Sequence, residues 1–168
     1  MNLPILYSFR RCPYAIRARM ALILASKKCE LREIVLKNKP EEMLQISAKG
    51  TVPILELPNE VLDESLDIIS WAMQSHPESV HIFSNKEQLM YESLIELFDS
   101  KFKYHLDRYK YASRYESDSS EHQEECKYIL ENLELKIDPC PWIFGKKVSL
   151  LDISILPFIR QCKIGNPK

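Results

Sequence analysis

The pattern of apolar residues changes abruptly near residue 76, and this change constrains the fold more than any other feature. Before that point, short apolar runs of strand length alternate with helical patterns. Beyond it, strand patterns nearly vanish and long polar–apolar helical repeats take over. The sequence therefore predicts two domains, residues 1–76 and 84–168, joined by a linker that contains Pro77.

The first domain is predicted to combine four strands with three helices. In chain order these are a strand at 5–8, a helix at 13–24, a strand at 30–36, a short helix at 41–46, strands at 52–57 and 61–62, and a helix at 65–73. A βαβ beginning joined to a ββα end is typical of the thioredoxin-like fold, an α/β arrangement.

The second domain is predicted to be all-α. The sequence Ser84-Asn85-Lys86-Glu87 forms a capping box that begins a long helix running past Leu106. A second apolar face runs from Cys126 to Ile137, and a loop is expected at 138–141. Ser149-Leu150-Leu151-Asp152 is another capping box, and Pro157 should kink the helix that follows or limit its first turn.

Composition excludes several functional classes. The chain has 168 residues with 23 Lys plus Arg against 24 Asp plus Glu, so it lacks the basic excess of proteins that bind nucleic acids or anionic membranes. Three glycines are too few for a phosphate-binding glycine loop, and no apolar run is long enough to span a membrane. Five scattered cysteines without a CxxC pair indicate a reducing compartment and no structural zinc site. The N-terminus carries no targeting signal, so a cytoplasmic location is expected.

Cys12 is the strongest candidate for chemistry. Pro13 suits the first position of a helix, which makes Cys12 the expected N-cap. A thiol at a helix N-terminus meets free N–H groups, and such sites lower a cysteine pKa to roughly 3.5–7.5 from about 8.5. Arg10 and Arg11 add positive charge. A buried structural cysteine is the alternative, although such a residue usually lies within an apolar run.

The segment 11–17, Arg-Cys-Pro-Tyr-Ala-Ile-Arg, resembles the active-site turn of glutaredoxins and of cysteine-type glutathione transferases such as the omega class. Ala15 stands where many glutaredoxins have a second cysteine, so the similarity is to the one-thiol form. Segments 36–41, 51–53, 64–65 and 149–152 resemble further family motifs, in the same order along the chain.

The resemblance implies that glutathione is the cosubstrate and that Cys12 is the catalytic residue. It implies that glutathione is bound by Pro13, Tyr14, Lys39, Val52, Pro53, Glu64 and Ser65. In this interpretation Lys39 meets the glycine carboxylate, and a cis Pro53 exposes the Val52 backbone to the tripeptide. Glu64 and Ser65 hold the γ-glutamyl end. Structural alternatives remain for three of these residues: Ser65 as a helix cap, Lys39 as a solvated charge and Pro53 as a turn residue.

The implied activity is glutathione-dependent thiol transfer to a small disulfide or electrophilic substrate, through a mixed disulfide on Cys12. Conjugation of glutathione is less favoured, because a cysteine at this position tends to form a mixed disulfide. A non-catalytic protein-binding or regulatory module is the alternative, and a homodimer is expected through the helices near Ser65 and Ser84. The family's last helices have no counterpart in this sequence, so Ile155, Phe158 and Ile159 are expected to be poorly covered.

Overall fold

The computed structural model describes residues 3–76, 80–137 and 139–165. The chain divides into two compact units, Met1–Ser79 and Val80–Lys168. Predictions that concern Pro77, Asp138 and the tail at 166–168 lie outside the described residues. Every helix formed by the described residues is too short or too polar to cross a membrane.

The first unit is built on a four-stranded mixed sheet. Its elements are β1 (Ile5–Ser8), α1 (Pro13–Leu24), β2 (Glu30–Glu33), α2 (Glu41–Ile46), β3 (Ile54–Glu56), β4 (Val61–Leu62) and α3 (Ser65–Met73). The strand order is β2-β1-β3-β4, with β1 parallel to β2 and antiparallel to β3. This arrangement confirms the predicted thioredoxin-like fold.

Helix α1 carries a row of small, fully buried residues. Ala15, Ala18 and Ala21 recur every three residues along α1, and all three are fully buried. Residues spaced in this way share one face of a helix, and α1 packs against α3. Ala15 also joins an apolar cluster with Tyr7 of β1, against which Cys12 packs. The cluster therefore links the centre of the sheet to the beginning of α1.

Two strands are shorter than the sequence predicts. β2 ends at Glu33 because the chain turns back immediately afterwards, with the Asn38 N–H donating to the Val35 carbonyl at 2.9 Å. This turn leaves Val35 exposed, although its side chain is typical of a strand. β3 begins at Ile54, directly after the cis peptide bond between Val52 and Pro53.

The second unit is helical, as predicted. Its elements are α4 (Asn85–Leu97), a π-helical segment (Phe98–Phe102), α5 (Lys103–Lys110), α6 (Ala112–Tyr115), α7 (Ser119–Glu134) and α8 (Leu150–Gly165). The long helix predicted after Ser84 is therefore interrupted by a wider turn. This turn buries both Phe98 and Phe102, whose ring centroids are 4.5 Å apart.

Both predicted capping boxes are present. Glu87 accepts a hydrogen bond from the Ser84 N–H at 2.7 Å, and the Ser84 hydroxyl accepts from the Glu87 N–H at 3.4 Å. At the second box the Asp152 carboxylate accepts from the Ser149 N–H at 2.8 Å and from the Ile143 N–H at 3.1 Å. Asp152 is buried, as expected for a carboxylate that caps a helix.

The expectation of poorly covered residues in α8 is wrong for Ile155 and Phe158. Both are fully buried, because α8 packs against α4 and α5. The Phe158 ring meets the Phe98 ring edge-on at 6.3 Å. Ile159 is half-buried. The helix also continues through Pro157 to Gly165, so Pro157 does not limit its first turn.

Candidate functional site

The Cys12 thiol lies at the beginning of α1. Cys12 is the N-cap and Pro13 the first helical residue, which confirms the prediction. The thiol makes no capping hydrogen bond and instead donates to the Val52 carbonyl at 3.6 Å. The side chain is half-buried. A sulfur in this position meets the positive end of the helix dipole, which favours the thiolate over the thiol.

Arg19, which the sequence analysis missed, is a cation that interacts electrostatically with Cys12. Its guanidinium donates to the Ser8 hydroxyl, to the Phe9 carbonyl at 3.5 Å and to the Arg10 carbonyl at 3.2 Å. Burial lowers the pKa of Arg19, while Glu33 and Cys12 act electrostatically to raise it. Arg19 follows Cys12 by seven residues, which is two helical turns, so both lie on the same side of α1. This spacing could have identified Arg19 from the sequence.

The expected cis bond before Pro53 is present, and it lies beside the Cys12 thiol. The loop that leads to Val52 passes Gly50, which has a positive φ of 56°. The Lys39 ammonium lies 3.7 Å from the point where a Cβ on Gly50 would sit. Lys39 is exposed, and the structure places it next to the loop that carries Val52.

Ser65 is the first residue of α3 and is buried. The N-cap is Glu64, so the alternative in which Ser65 only caps the helix is wrong. The Ser65 hydroxyl accepts a hydrogen bond from Arg17 Nε at 2.9 Å. Arg17 is itself buried, and its guanidinium carbon lies 4.9 Å from the centre of the Tyr14 ring. A buried guanidinium behind a hydroxyl suits a carboxylate ligand.

Glu64 belongs to an ionic network that the sequence analysis also missed. Lys49 Nζ lies 2.6 Å from a Glu64 carboxylate oxygen and 2.9 Å from an Asp63 oxygen. The Ser47 hydroxyl donates to Asp63 at 2.7 Å. Hydrogen bonds to Glu64 and Asp63 raise the pKa of Lys49, and those from Lys49 and Ser47 lower the pKa of Asp63. Lys49 lies two residues before the motif at 51–53, and this proximity in the sequence could have identified it as part of the site.

These residues come together through two segments of the first unit. Helix α1 carries both Cys12 and Arg17, and Arg17 reaches Ser65. The loop at 47–53 carries Lys49, which reaches Glu64, and Val52, which meets the thiol. The arrangement offers a thiol, a peptide backbone edge and separate charged groups, which together match an extended anionic peptide.

The second unit holds a histidine pair that sequence reasoning overlooked. The Nδ1 of His105 lies 2.8 Å from the Nδ1 of His122, which is 17 residues away in the chain. Burial lowers the pKa of His105. Within residues 3–76, 80–137 and 139–165, His, Cys, Asp and Glu nowhere form a group of three that could hold a metal ion.

Comparisons with known proteins agree with this geometry. Residues 6–80 match the family of glutathione S-transferase N-terminal domains. The chain is 36% identical over 73 residues to glutathione S-transferase omega-1 of Rattus norvegicus, covering 43% of this chain and 30% of that protein. It is 26% identical over 158 residues to the Sus scrofa omega-1 enzyme, covering 92% of this chain and 65% of that protein. The chain thus spans less than two thirds of the length of these relatives.

Solved structures show the same fold. Glutathione transferase Omega 3C of Trametes versicolor superposes with a TM-score of 0.79 at 21% identity, covering 95% of this chain and 69% of that one. A glutathione transferase homologue from Sulfitobacter with bound glutathione gives a TM-score of 0.80 at 16% identity, covering 99% and 85%. Residues 6–80 are thus similar in sequence to glutathione S-transferase N-terminal domains, and the chain has the fold of the solved glutathione transferases.

Proposed function

We propose that this chain is a glutathione-dependent thiol transferase in which the Cys12 thiolate forms a mixed disulfide with glutathione. The observation that carries the proposal is the position of the Cys12 sulfur, at the N-terminus of α1 and 3.6 Å from the Val52 carbonyl. A reactive thiol beside an open peptide edge can hold a peptide ligand and react with its sulfur. If Cys12 had only a structural role, its position beside the Val52 backbone would serve no purpose in binding a ligand.

The residues around the thiol suit the three parts of glutathione. The Val52 backbone would pair with the tripeptide backbone as an added strand does. Lys39 would meet the glycine carboxylate as a point charge. Ser65, held by the buried Arg17, would bind the α-carboxylate of the γ-glutamyl group, and Glu64 would bind its ammonium. Pro13 and Tyr14 would complete the wall at the beginning of α1.

Ionisation of Cys12 prepares the ligand site as well as the nucleophile. In the thiol form, the Cys12 S–H donates a hydrogen bond to the Val52 carbonyl, so this acceptor is already engaged. A thiolate has no proton to donate, so ionisation frees this carbonyl to accept an N–H from glutathione. The positive groups near the sulfur, the helix N-terminus and Arg19, stabilise the resulting negative charge.

The reaction proceeds by two thiol–disulfide exchanges. The Cys12 thiolate attacks the glutathione sulfur of a glutathionylated substrate, and the substrate sulfur leaves as a thiolate that takes up a proton. The thiolate of a second glutathione then attacks the glutathione sulfur on Cys12. This step forms glutathione disulfide and releases the Cys12 thiolate. Each exchange breaks one S–S bond and forms another.

Mass spectrometry of the intact protein tests the mechanism. After treatment with glutathione disulfide, wild-type protein is expected to gain one glutathione, about 305 Da, on Cys12. Cys12→Ser should gain none at this position and should lose thiol transferase activity. Cys29→Ser is the matched control, because Cys29 is a half-buried thiol whose pKa is raised by burial. Full activity in Cys12→Ser would exclude the mechanism.

Binding to immobilised glutathione separates the enzyme from a non-catalytic module. An enzyme of this kind is expected to bind the resin and to turn over a glutathionylated substrate. Binding without turnover would favour a protein-binding or regulatory module. A homodimer through α3 and α4 remains a prediction, and light scattering measures it directly.

A further inference from the structure

The Glu64 carboxylate already holds a cation that belongs to the chain itself. Lys49 Nζ lies 2.6 Å from a Glu64 oxygen and 2.9 Å from an Asp63 oxygen. The proposed function assigns Glu64 to the ammonium group at the γ-glutamyl end of glutathione. Lys49 carries the same chemical group, a primary ammonium, so the chain and its proposed ligand would compete for one carboxylate.

Asp63 offers Lys49 a second partner that does not depend on Glu64. Ser47 is buried, and its hydroxyl donates to the other Asp63 oxygen at 2.7 Å. Ser47 and Lys49 belong to one turn, which the Gly50 N–H closes by donating to the Ser47 carbonyl at 3.2 Å. The turn therefore keeps Lys49 close to Asp63 even when the lysine is not bonded to Glu64.

The charges of this cluster leave room for one more cation. Asp63 and Glu64 share the single ammonium of Lys49, so the cluster keeps one negative charge. Two ammonium groups on one carboxylate would repel each other at short range, whereas one ammonium on each carboxylate would be balanced. Lys49 can make this change readily, because its side chain is 48% exposed and exposed ion pairs are weak.

We propose that Lys49 is a placeholder for the ammonium of glutathione: it pairs with Glu64 in the free protein and keeps only Asp63 when the ligand binds. The proposal rests on the function proposed above, which makes Glu64 the ammonium site. A ligand with an ammonium gains Glu64 but must displace Lys49, and a ligand without one leaves the lysine in place. Lys49 thereby determines how much affinity a ligand gains from its ammonium, which makes it a specificity-determining residue.

Calorimetric titration of the full-length protein with reduced glutathione is the test. Lys49→Met removes the competing charge and keeps an unbranched, flexible side chain. Its Kd for glutathione is expected to be about twofold to fivefold lower than that of wild type, the range for an exposed ion pair. Lys28→Met is the matched control, because it removes the charge of an exposed lysine from the same unit, and its Kd should equal that of wild type. An unchanged or higher Kd in Lys49→Met would overturn the proposal.

A glutathione analogue without the α-amino group, glutaryl-cysteinyl-glycine, separates competition from simple obstruction. The analogue cannot displace Lys49 from Glu64, so Lys49→Met should not tighten its binding. Because the analogue is more anionic than glutathione, loss of the lysine charge should leave its Kd unchanged or raise it. If Lys49→Met tightened the binding of both ligands by the same factor, the lysine would block the site by its bulk, and the proposal would be wrong.

A double-mutant cycle tests the part played by Asp63. Asp63→Asn removes the second partner, so Lys49 should hold Glu64 more persistently and the Kd for glutathione should rise. In the Lys49→Met background there is no lysine to relocate, and the same substitution should raise the Kd by less. Equal effects in the two backgrounds would contradict the proposal. The comparison of wild type with Lys49→Met decides it even if Asp63→Asn fails to fold.

The same titrations distinguish failure of this proposal from failure of the proposed function. Wild-type protein that does not bind glutathione would overturn both. Wild-type protein that binds glutathione, with binding that Lys49→Met leaves unchanged or weakens, would overturn the role of Lys49 and leave the proposed function standing.

Discussion

Replacing Ser65 by alanine tests whether its buried hydroxyl serves only the fold or also the ligand. The hydroxyl accepts from Arg17 Nε at 2.9 Å, and both side chains are buried. Removing a buried acceptor from a charged donor costs about 1–3 kcal/mol of stability. For a chain of this size each kcal/mol lowers Tm by about 2–4 °C, so Ser65→Ala should lower Tm by about 2–12 °C. Thermal denaturation followed by circular dichroism measures this change.

The same substitution should weaken glutathione binding. A hydrogen bond to a charged group is worth about 1.5–3 kcal/mol, which corresponds to a rise in Kd of about tenfold to hundredfold. Isothermal titration measures the Kd below the denaturation temperature. Ser70→Ala is the matched control, since Ser70 lies on the same helix with its side chain exposed. A lower Tm with an unchanged Kd would show that Ser65 is structural and would refute the ligand role. Unchanged values of both would refute the reasoning as a whole.

The remaining predictions concern ionisation. Lys49 lowers the pKa of Asp63 below its usual value of about 3.9, so Asp63 contributes stability above about pH 4 that is lost as the pH falls through its folded pKa. Lys49→Met should therefore make the loss of Tm in acid shallower, and a slope equal to that of wild type would contradict this. At about pH 6.5 iodoacetamide should alkylate Cys12 faster than Cys29, whose pKa is raised by burial, as quantified by peptide mass spectrometry; equal rates would argue against an activated Cys12. Burial lowers the pKa of His105 in the folded protein. As the pH falls, His105 therefore binds a proton in the unfolded chain before it does so in the folded protein, and the free energy of unfolding should decrease below about pH 6.5. His105→Gln should reduce that fall in denaturant titrations, whereas an unchanged pH profile would assign the effect to another group.

Local signals predicted most of the element boundaries, and the misses have long-range causes. β1, α2, β4 and α3 begin and end where the pattern of apolar residues and caps predicts. β2 was predicted three residues too long because Val35 and Leu36 have strand-forming side chains, yet a turn closed by Asn38 takes them out of the sheet. The π-helical turn at Phe98–Phe102 leaves no mark in a helical repeat, because it depends on where the two rings pack.

The sequence predicts the motif residues of the candidate site. It does not predict the side chains that form hydrogen bonds to them. Cys12 and Pro53 follow from short segments whose local conformation is nearly fixed by a helix cap and a proline. Arg17 and Lys49 act on partners 48 and 15 residues away in the chain. Only the packing of α1 on α3 and the path of the loop at 47–53 bring these partners together. A single sequence holds no direct signal for such contacts.

Helix α1 therefore links the chemistry of the thiol to the binding of the ligand. Its first residue follows Cys12, and its fifth is the arginine that holds Ser65 on α3. Helix α1 packs against α3, and the density of protein interiors leaves little freedom to shift such a contact. A movement of α1 along α3 would displace the sulfur from Val52 and the guanidinium from Ser65 in one step. The spacing between nucleophile and carboxylate site is thus a property of helix packing, and its accuracy depends on residues that would not touch glutathione.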